Sequence, residues 1–138
     1  NRTCLPENYS SFFFMELYRR FPETFLVAEE NGKIVGYIMC RIETSLANLG
    51  FSGLIKKGHV VSIAVLPKHQ RKGIGSALMQ KAMENMARYK AKKCFLEVRV
   101  SNTPAIQMYK KLGFKIKRRL REYYMDGEDA YEMEKDLS

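Results

Sequence analysis

One stretch of the chain constrains its fold more than any other, because it couples a buried strand to a helix through a glycine-containing loop. Residues 59–66 are apolar almost throughout, as expected for a strand covered on both faces, and Pro67 ends the run. From Gly73 to about Tyr89, apolar residues recur at spacings of three and four, which predicts an amphipathic helix. The next predicted strand must then pair parallel to the first, as in an α/β fold.

An antiparallel hairpin precedes this unit. Residues 25–30 and 33–39 are predicted strands, and Asn31-Gly32 between them gives easy access to positive φ, the strongest short hairpin signal. We therefore expect one α/β domain over residues 1–138, with a mixed central sheet and helices on both of its faces. The other predicted elements are a helix over residues 9–20, a loop over 44–58, a buried strand over 94–100, a helix capped by Asn102 or Thr103 and ended by Gly113, and two strands over 114–137 around Asp126-Gly127.

Composition limits the partners and the compartment. A hydrophobic content of 46% is typical of a globular domain, and no apolar run approaches the ~18 residues of a membrane span. The three cysteines form no C-x-x-C pair and there are only two histidines, so we expect neither a disulfide framework nor a metal site. A reducing cytoplasm is the expected location. The net charge of +9 points to anionic partners, which could be nucleic acid, a ribosome surface or a small ligand with several phosphates.

Residues 70–75, Gln-Arg-Lys-Gly-Ile-Gly, are suited to bind a phosphate group. A helix N-terminus offers unpaired N–H groups and roughly half a positive charge. Gly73 and Gly75 lack a Cβ, so the backbone can approach a pyrophosphate closely, and Arg71 and Lys72 add positive charge. Taken alone, the loop is equally compatible with a helix that merely begins with glycines beside solvated basic residues.

In its context the loop resembles the acetyl-CoA signature Q/R-x-x-G-x-G/A of the GNAT superfamily of N-acetyltransferases, which follows a strand that ends in a bulge. Residues 5–9, 58–65, 97–102 and 123–131 further resemble the protein N-terminal acetyltransferases, specifically the catalytic subunit of the type A complex and its single-chain archaeal relatives. The resemblance implies the GNAT fold and an enzyme that acetylates the α-amino group of protein N-termini. It also implies that the family's first strand and part of its first helix are missing before residue 5.

The resemblance implies where acetyl-CoA binds. Backbone amides of the loop would hold the pyrophosphate, and the preceding strand would pair with the pantetheine arm. The strand that carries Glu97 would splay away and open a slot where thioester and amine meet. Tyr109 would protonate the leaving thiolate, although core packing alone also explains a tyrosine there. The implied cofactor-binding residues are Ile63, Ala64, Val65, Gln70, Arg71, Lys72, Gly73, Ile74, Gly75, Ser76, Asn102 and Tyr109.

Glu97 is the first candidate for the base that accepts a proton from the amine. It lies in an apolar strand, where an unpaired carboxylate is costly, and it shares a face with Arg99. A Glu97–Arg99 ion pair on a solvated face is the alternative. In the single-chain relatives, the residues matching His59 and Glu97 resemble a pair that relays the proton through ordered water, whereas the eukaryotic enzymes depend more on the position of Glu7. The implied catalytic residues are His59, Glu97, Tyr109 and Glu7, and the division of work between Glu7 and Glu97 stays open.

The resemblance also places the peptide substrate. Glu7 would contact its first residue, and Arg99 would support that pocket. Tyr123 and Tyr124 would hydrogen-bond the peptide backbone, although adjacent strand tyrosines are more often packing residues. Small first residues (Ser, Ala or Thr) are expected, with room for broader tolerance in a single-chain enzyme. The implied substrate-binding residues are Leu5, Pro6, Glu7, Arg99, Tyr123 and Tyr124.

Further expectations concern the reaction and its partners. Cys94 shares a strand face with apolar neighbours, so we expect a core residue and direct transfer in a ternary complex rather than an acetyl-cysteine. His69 is expected at the surface. Residues 115–121 hold five basic side chains, which either dock on ribosomal RNA or form a solvated strand face. We expect a monomer, with an auxiliary subunit left open. The alternatives to N-terminal acetylation are acetylation of lysine side chains or small amines, and an RNA-binding module without catalysis.

Overall fold

A mixed sheet of six strands organises the chain. The computed structural model describes residues 25–46 and 54–138. The elements are β1 (Phe25–Glu30), β2 (Lys33–Leu46), β3 (Leu54–Val65), a 3₁₀ turn (Pro67–His69), α1 (Ile74–Arg88), β4 (Ala91–Arg99), α2 (Thr103–Lys111), β5 (Lys115–Leu120) and β6 (Ala130–Asp136). The sheet order is β1-β2-β3-β4-β6-β5, with β3 and β4 parallel and all other neighbours antiparallel. The predicted mixed α/β sheet is confirmed.

The first two hairpins differ in how well the sequence predicts them. Asn31 (φ 53°) and Gly32 (φ 80°) form the predicted tight turn between β1 and β2. The expected loop over residues 44–58 is wrong at both ends, because β2 continues to Leu46 and β3 begins at Leu54. Backbone pairing holds these polar ends together regardless of side-chain polarity.

The helices and the sheet share one hydrophobic core. In β4, Cys94, Leu96 and Val98 are buried, whereas Glu97 and Arg99 point to the opposite face. Buried residues of α1 and α2 join those of the sheet in a single cluster. The predicted helix over residues 9–20 lies outside the described part of the chain, so helical cover of the second face stays a prediction.

The cap of α2 follows the sequence closely. The Asn102 Oδ1 atom accepts a hydrogen bond from the backbone N–H of Ala105 at 3.3 Å, and Pro104 lies in the first turn. Gly113, at φ 100°, follows the end of the helix. Both the predicted cap and the predicted stop are confirmed.

The last two strands are joined by residues 121–129, not by a tight hairpin. Tyr123 and Tyr124 lie in this segment, so their expected position in a strand is wrong. The segment makes its own turn, in which the Gly127 N–H donates to the Tyr124 carbonyl at 2.9 Å. The Asp129 carboxylate accepts from the Glu122 N–H at 2.8 Å, which holds the segment's two ends together.

Candidate active site

A slot opens in the middle of the sheet because β3 and β4 pair over only part of their length. Their parallel register runs from Lys56↔Ala91 to His59↔Phe95 and ends there, although both strands continue. The β2–β3 register jumps from Met39↔Ser62 to Cys40↔Val60, which leaves Val61 as a bulge. A bulge bends its strand, so β3 turns away from β4 beyond His59. The predicted splay is present, whereas the bulge lies within β3 and not at its end.

The slot forms a cavity of about 450 Å³, a size suited to part of a small-molecule ligand. Its walls come from both faces of the sheet and from the segment after β5. The lining residues are Val60, Val61, Ser62, Ile63, Leu96, Glu97, Arg99, Tyr109, Tyr123 and Tyr124. Six of the predicted site residues are among them, namely Ile63, Glu97, Arg99, Tyr109, Tyr123 and Tyr124, whereas His59 is not.

His59 and Glu97 meet at the closed end of the slot. The Nε2 atom of His59 lies 2.8 Å from Oε1 of Glu97, and the imidazole stacks on the Phe95 ring at 4.4 Å. Both an unprotonated ring nitrogen and a carboxylate oxygen are acceptors, so this contact requires a proton between them. The side chains are 13% and 17% exposed, so water screens the pair weakly. The expected His59–Glu97 pairing is thus present, and Glu97 takes this partner rather than Arg99.

A second carboxylate lies on the other side of the imidazole. The Nδ1 atom of His59 is buried and makes no hydrogen bond within the described part of the chain, but Oε2 of Glu43 lies 3.3 Å away. Burial acts to lower the pKa of His59, but the hydrogen bond and charge of Glu97 and the charge of Glu43 outweigh burial and the charge of Arg41, so the pKa is raised. The sequence reasoning missed Glu43. Its signal is faint: Arg41 and Glu43 are two apart on one strand face.

Tyr109 reaches the slot from α2. Its side chain is buried and lines the cavity, while its ring also packs on Phe114 at a centroid distance of 5.9 Å. Burial, with smaller effects from Tyr124 and Cys94, raises the pKa of the Tyr109 hydroxyl, so it keeps its proton at neutral pH. Tyr109 therefore fills the core and presents a proton donor to the slot at the same time.

Arg99 anchors the segment that carries the two tyrosines. Its Nη1 atom donates to Asp126 Oδ2 at 2.9 Å and to Glu128 Oε1 at 2.8 Å. The guanidinium also lies over the Tyr124 ring, 4.1 Å from its centroid. Burial and the neighbouring Tyr123 raise the pKa of Tyr124 to about 12, against the opposing effect of Arg99. One arginine therefore anchors the wall of the slot that Tyr123 and Tyr124 form.

The predicted phosphate loop joins the end of β3 to α1. The Gln70 side chain donates to the Val65 carbonyl at 2.8 Å, which ties the loop to the strand. Gly73, at φ 84°, is the N-cap, and no side chain of residues 25–46 or 54–138 caps the helix. The first intrahelical bond is donated by Ala77, so the amides of Ile74, Gly75 and Ser76 have no partner within the helix. Within the described residues, the loop thus presents backbone donors at a helix N-terminus that can bind a ligand.

His69 is a partly exposed surface residue, as expected. It lies against the Glu30 carboxylate at the end of β1, and Lys72 Nζ is 3.7 Å from the same carboxylate. These contacts attach the phosphate loop to the β1–β2 hairpin, which the sequence did not predict.

Some predicted residues lie outside the described part of the chain, and others have no role in the slot. Leu5, Pro6 and Glu7 fall among the residues that are not described. Cys94 is fully buried on the helix-facing side of β4, and burial raises the pKa of its thiol to about 12. Cys94 is thus the predicted core residue.

Residues 25–46 and 54–138 contain neither a membrane-spanning helix nor a cluster of metal-ligand side chains. None of the helices there combines the length and the apolar character needed to cross a bilayer. No group of three His, Cys, Asp or Glu side chains in these ranges is placed to hold a metal ion.

Most of the basic run on β5 is paired with acids of β6 and of the segment before it. Lys117 Nζ lies 3.5 Å from Glu134, and Arg118 Nε lies 2.9 Å from Glu132. Arg119 donates to Asp129 at 2.6 Å. These pairs lower the net charge of the surface, which favours the alternative of a solvated strand face.

Comparison with known proteins agrees with this architecture. The profile of the acetyltransferase (GNAT) family matches residues 1–114. An N-alpha-acetyltransferase of Sulfurisphaera tokodaii is 56% identical over 96% of this chain and 81% of its own. An N-alpha-acetyltransferase of Saccharolobus solfataricus is 49% identical over 99% and 83%. The N-terminal acetyltransferase A complex catalytic subunit NAA10 of Arabidopsis thaliana is 39% identical over 99% and 69%.

Solved structures show the same relationship. Naa20 of Chaetomium thermophilum, in complex with a bisubstrate analogue, superposes with a TM-score of 0.77 at 31% identity, covering 94% of this chain and 74% of that one. Ard1 of Thermoplasma volcanium superposes with a TM-score of 0.73 at 32% identity, covering 97% and 84%. The chain therefore belongs to the acetyltransferase (GNAT) family and, within it, to the N-terminal acetyltransferases.

Proposed function

We propose that this protein transfers the acetyl group of acetyl-CoA directly to the α-amino group of protein N-termini, within a ternary complex. The observation that carries the proposal is the position of the His59–Glu97 pair. It lies at the closed end of a slot whose wall includes residues of β3, the strand that leads into the phosphate loop, and the tyrosines anchored by Arg99. This position supports a base acting between an activated acyl group and a peptide end.

The residues present fit acetyl-CoA. The loop offers the backbone amides of Ile74, Gly75 and Ser76 without a capping side chain, as a pyrophosphate requires. Beyond the last β3–β4 pair, the β4-facing backbone edge of residues 63–65 has no strand partner in the described part of the chain. An extended pantetheine arm can pair with such an edge. Once bound, acetyl-CoA supplies an activated thioester.

Glu97 and His59 are assigned as the base. An α-amino group has a pKa of about 7.7–8.0, so a tenth or more is already neutral near pH 7 and a modest base suffices. Glu97 lines the cavity and can accept the proton directly or through water, while His59 shares it across the 2.8 Å contact. Glu7 is proposed to share this work from the substrate side.

Tyr109 is assigned as the acid that protonates the leaving thiolate. Its hydroxyl belongs to a buried side chain that lines the slot, and its raised pKa keeps the proton in place until a strong base appears. Direct transfer is supported by the burial of Cys94, whose thiol has a pKa of about 12 and is a poor nucleophile at neutral pH.

Peptide binding is assigned to the wall anchored by Arg99. Tyr123 is 49% exposed at the mouth of the slot and Tyr124 packs against Arg99, so both can contact an extended peptide backbone. We propose Ser, Ala and Thr as the preferred first residues, with Leu5, Pro6 and Glu7 completing the pocket. The adjacent tyrosines would exclude the middle of a continuous chain.

The setting of the reaction is also part of the proposal. We propose a cytoplasmic monomer that acts on nascent or finished chains, since Cys40 and Cys94 are free thiols as in a reducing compartment. Contact with the ribosome would use Lys115 and Arg121, the two basic residues of the run 115–121 that form no salt bridge within residues 25–46 and 54–138. Ribosome binding that falls steeply with salt and is lost in Lys115→Gln/Arg121→Gln would support docking; binding unchanged in this variant would contradict it.

The experiment uses a peptide panel with internal lysines. Peptides beginning with Ser, Ala, Thr or Leu are offered with acetyl-CoA, each with a free and with a blocked N-terminus, and mass spectrometry locates the acetyl group. We expect acetylation only at free α-amines, fastest for the three small residues. We also expect Glu97→Gln to lower kcat at least ~100-fold, while Glu84→Gln on the exposed face of α1 has no effect.

Three results would overturn the proposal in different parts. Acetylation confined to lysine side chains would refute the acceptor. Full activity of Glu97→Gln would refute the assigned base. An acetylated cysteine found after incubation with acetyl-CoA alone would refute direct transfer.

A further inference from the structure

A row of polar side chains leads from the slot across the sheet to solvent. Glu97 on β4 lines the cavity, His59 on β3 lies next, and Glu43 on β2 follows. The contacts are 2.8 Å from Glu97 Oε1 to His59 Nε2, and 3.3 Å from His59 Nδ1 to Glu43 Oε2. The two carboxylates thus face opposite nitrogens of one imidazole, the geometry in which a ring can accept a proton on one side and release one on the other.

Exposure is greatest at the outer end of this row. Glu97 and His59 are 17% and 13% exposed, whereas Glu43 is 36% exposed and does not line the cavity. Arg41 holds Glu43 from the solvent side, with Nη2 3.0 Å and Nε 3.1 Å from Oε2. The inner end of the row is therefore inside the slot, and its outer end is in contact with water.

The buried Nδ1 atom supports a link that closes transiently. It makes no hydrogen bond within the described part of the chain, yet a carboxylate oxygen lies within 3.3 Å. A buried donor without a partner costs free energy, so a small rotation of Glu43 onto Nδ1 is favourable. Stacking on Phe95 holds the ring plane fixed while Glu43 moves.

We propose that Glu43 is the outlet of a proton path that runs from Glu97 through His59 to solvent. The proposal rests on the assignment of Glu97 and His59 as the base. Glu97 takes one proton from the amine; Nε2 of His59 takes it from Glu97 while Nδ1 releases one proton to Glu43. Glu43 then gives that proton to water, so one proton has left the slot and the imidazole carries its remaining proton on Nε2 instead of Nδ1. After product release opens the slot to water, Nε2 gives up this proton there through Glu97 and Nδ1 regains one from solvent through Glu43, which restores the starting tautomer.

The titration of His59 tests the contact without any reaction. The charged groups that face the imidazole are Glu97 on β4 and Glu43 and Arg41 on β2, and its ring stacks on Phe95. The chain has two histidines, so NMR signals of His59 are assigned by their persistence in His69→Gln. We expect Glu43→Gln to lower the pKa of His59 and Arg41→Gln to raise it, with Glu84→Gln as the matched control. An unchanged pKa in Glu43→Gln overturns the contact.

Kinetics in weak buffer test the path itself. We expect Glu43→Ala to lower kcat, measured on the pH-independent plateau of the pH–rate profile, at least about tenfold. KM for acetyl-CoA should not change, because proton release becomes the limiting step. Added formate, which fits the vacated space and carries a proton, should restore kcat in Glu43→Ala but not in Glu43→Gln. Wild-type kcat in Glu43→Ala, or a loss that formate does not repair, overturns the proposal.

The assigned base and the proposed outlet can be refuted separately. If Glu97→Gln is inactive and Glu43→Ala is fully active, the base is right and the outlet is wrong. If Glu97→Gln is fully active, the assigned base fails, and the His59 titration still reports whether Glu43 is coupled to the ring.

Discussion

The Nε2 atom of His59 and the Oε1 atom of Glu97 lie 2.8 Å apart at the point where β3 and β4 cease to pair, since His59 belongs to their last pair and Glu97 lies two residues beyond it. This pair is at once the end of a hydrogen-bonded ladder and the start of a cavity. Its protonation state therefore affects both the stability of the fold and the reaction, and the two effects can be measured separately.

The stability contributed by His59 should fall as pH rises. Its folded-state pKa is raised above the ordinary value of 6.5, so the stabilisation is complete below about pH 6.5 and is lost as pH rises through the folded pKa. We expect the free energy of unfolding of the wild type, relative to His59→Gln, to decrease as pH rises from about 6.5 through the raised folded-state pKa. Urea unfolding at several pH values measures it. A difference that grows with pH would contradict the assigned shift.

Gly75→Ala should separate binding from folding. A Cβ at this position would meet only the flexible Met108 side chain, at 3.4 Å, and alanine is favoured over glycine in a helix by up to about 1 kcal/mol. We expect stability to be unchanged or increased, and KM for acetyl-CoA to rise about tenfold (~1.4 kcal/mol), because the methyl group keeps a pyrophosphate from the backbone. Lys81→Ala, on the exposed face of α1, is the control. An unchanged KM would argue against phosphate binding here.

Tyr109→Phe removes a hydroxyl and keeps the packing. The ring contact with Phe114 at 5.9 Å is retained, so the melting temperature should change little. We expect kcat to fall by about 100-fold or more, as for the loss of a general acid, with little change in either KM. Tyr89→Phe, at the exposed end of α1, provides the comparison. Full activity of Tyr109→Phe would leave Tyr109 as a packing residue alone.

Arg99→Lys should weaken peptide binding selectively. One guanidinium contacts Asp126, Glu128 and the Tyr124 ring at the same time, and an ammonium cannot reproduce this planar arrangement. We expect KM for the peptide to rise about tenfold (~1.4 kcal/mol) while KM for acetyl-CoA stays constant. Initial-rate kinetics with each substrate varied in turn measure both. Equal effects on both constants would indicate a general loss of structure instead.

Gly58→Ala should destabilise the core beneath the site. An added Cβ would lie 2.2 Å from the Met86 Sδ atom, so the methionine must move within a packed interior. We expect a loss of about 1–3 kcal/mol in the free energy of unfolding. Combining it with Met86→Ala should cost less than the sum of the two single changes. Strict additivity would show that the two side chains do not compete for the same space.

The sequence predicts best those features that depend on local order along the chain. Alternation along β4 separates Cys94 from Glu97, the Asn31-Gly32 turn is visible directly, and the glycine loop marks the start of α1. Each follows from neighbours a few residues apart. The family resemblance then adds which of these features belong to one site.

Features that depend on the register between distant strands cannot be predicted from neighbouring residues. Whether His59 meets Glu97 depends on the parallel pairing of β3 with β4. Glu43 approaches His59 because β2 and β3 remain paired through residues that were expected to form a loop. The polar ends of those strands look like a loop, since nothing local distinguishes a paired polar strand from an unpaired one. Glu43 was missed for this reason.

The early end of the β3–β4 ladder has a mechanical consequence. In the described part of the chain, strands β1 to β3 and strands β4, β6 and β5 form two half-sheets whose direct seam runs only from Lys56↔Ala91 to His59↔Phe95. A ligand that pairs with the free edge of β3 and contacts β4 across the slot connects the two half-sheets. Substrate binding should therefore restrict their relative motion, and we expect the protein to be least flexible when its substrates are bound.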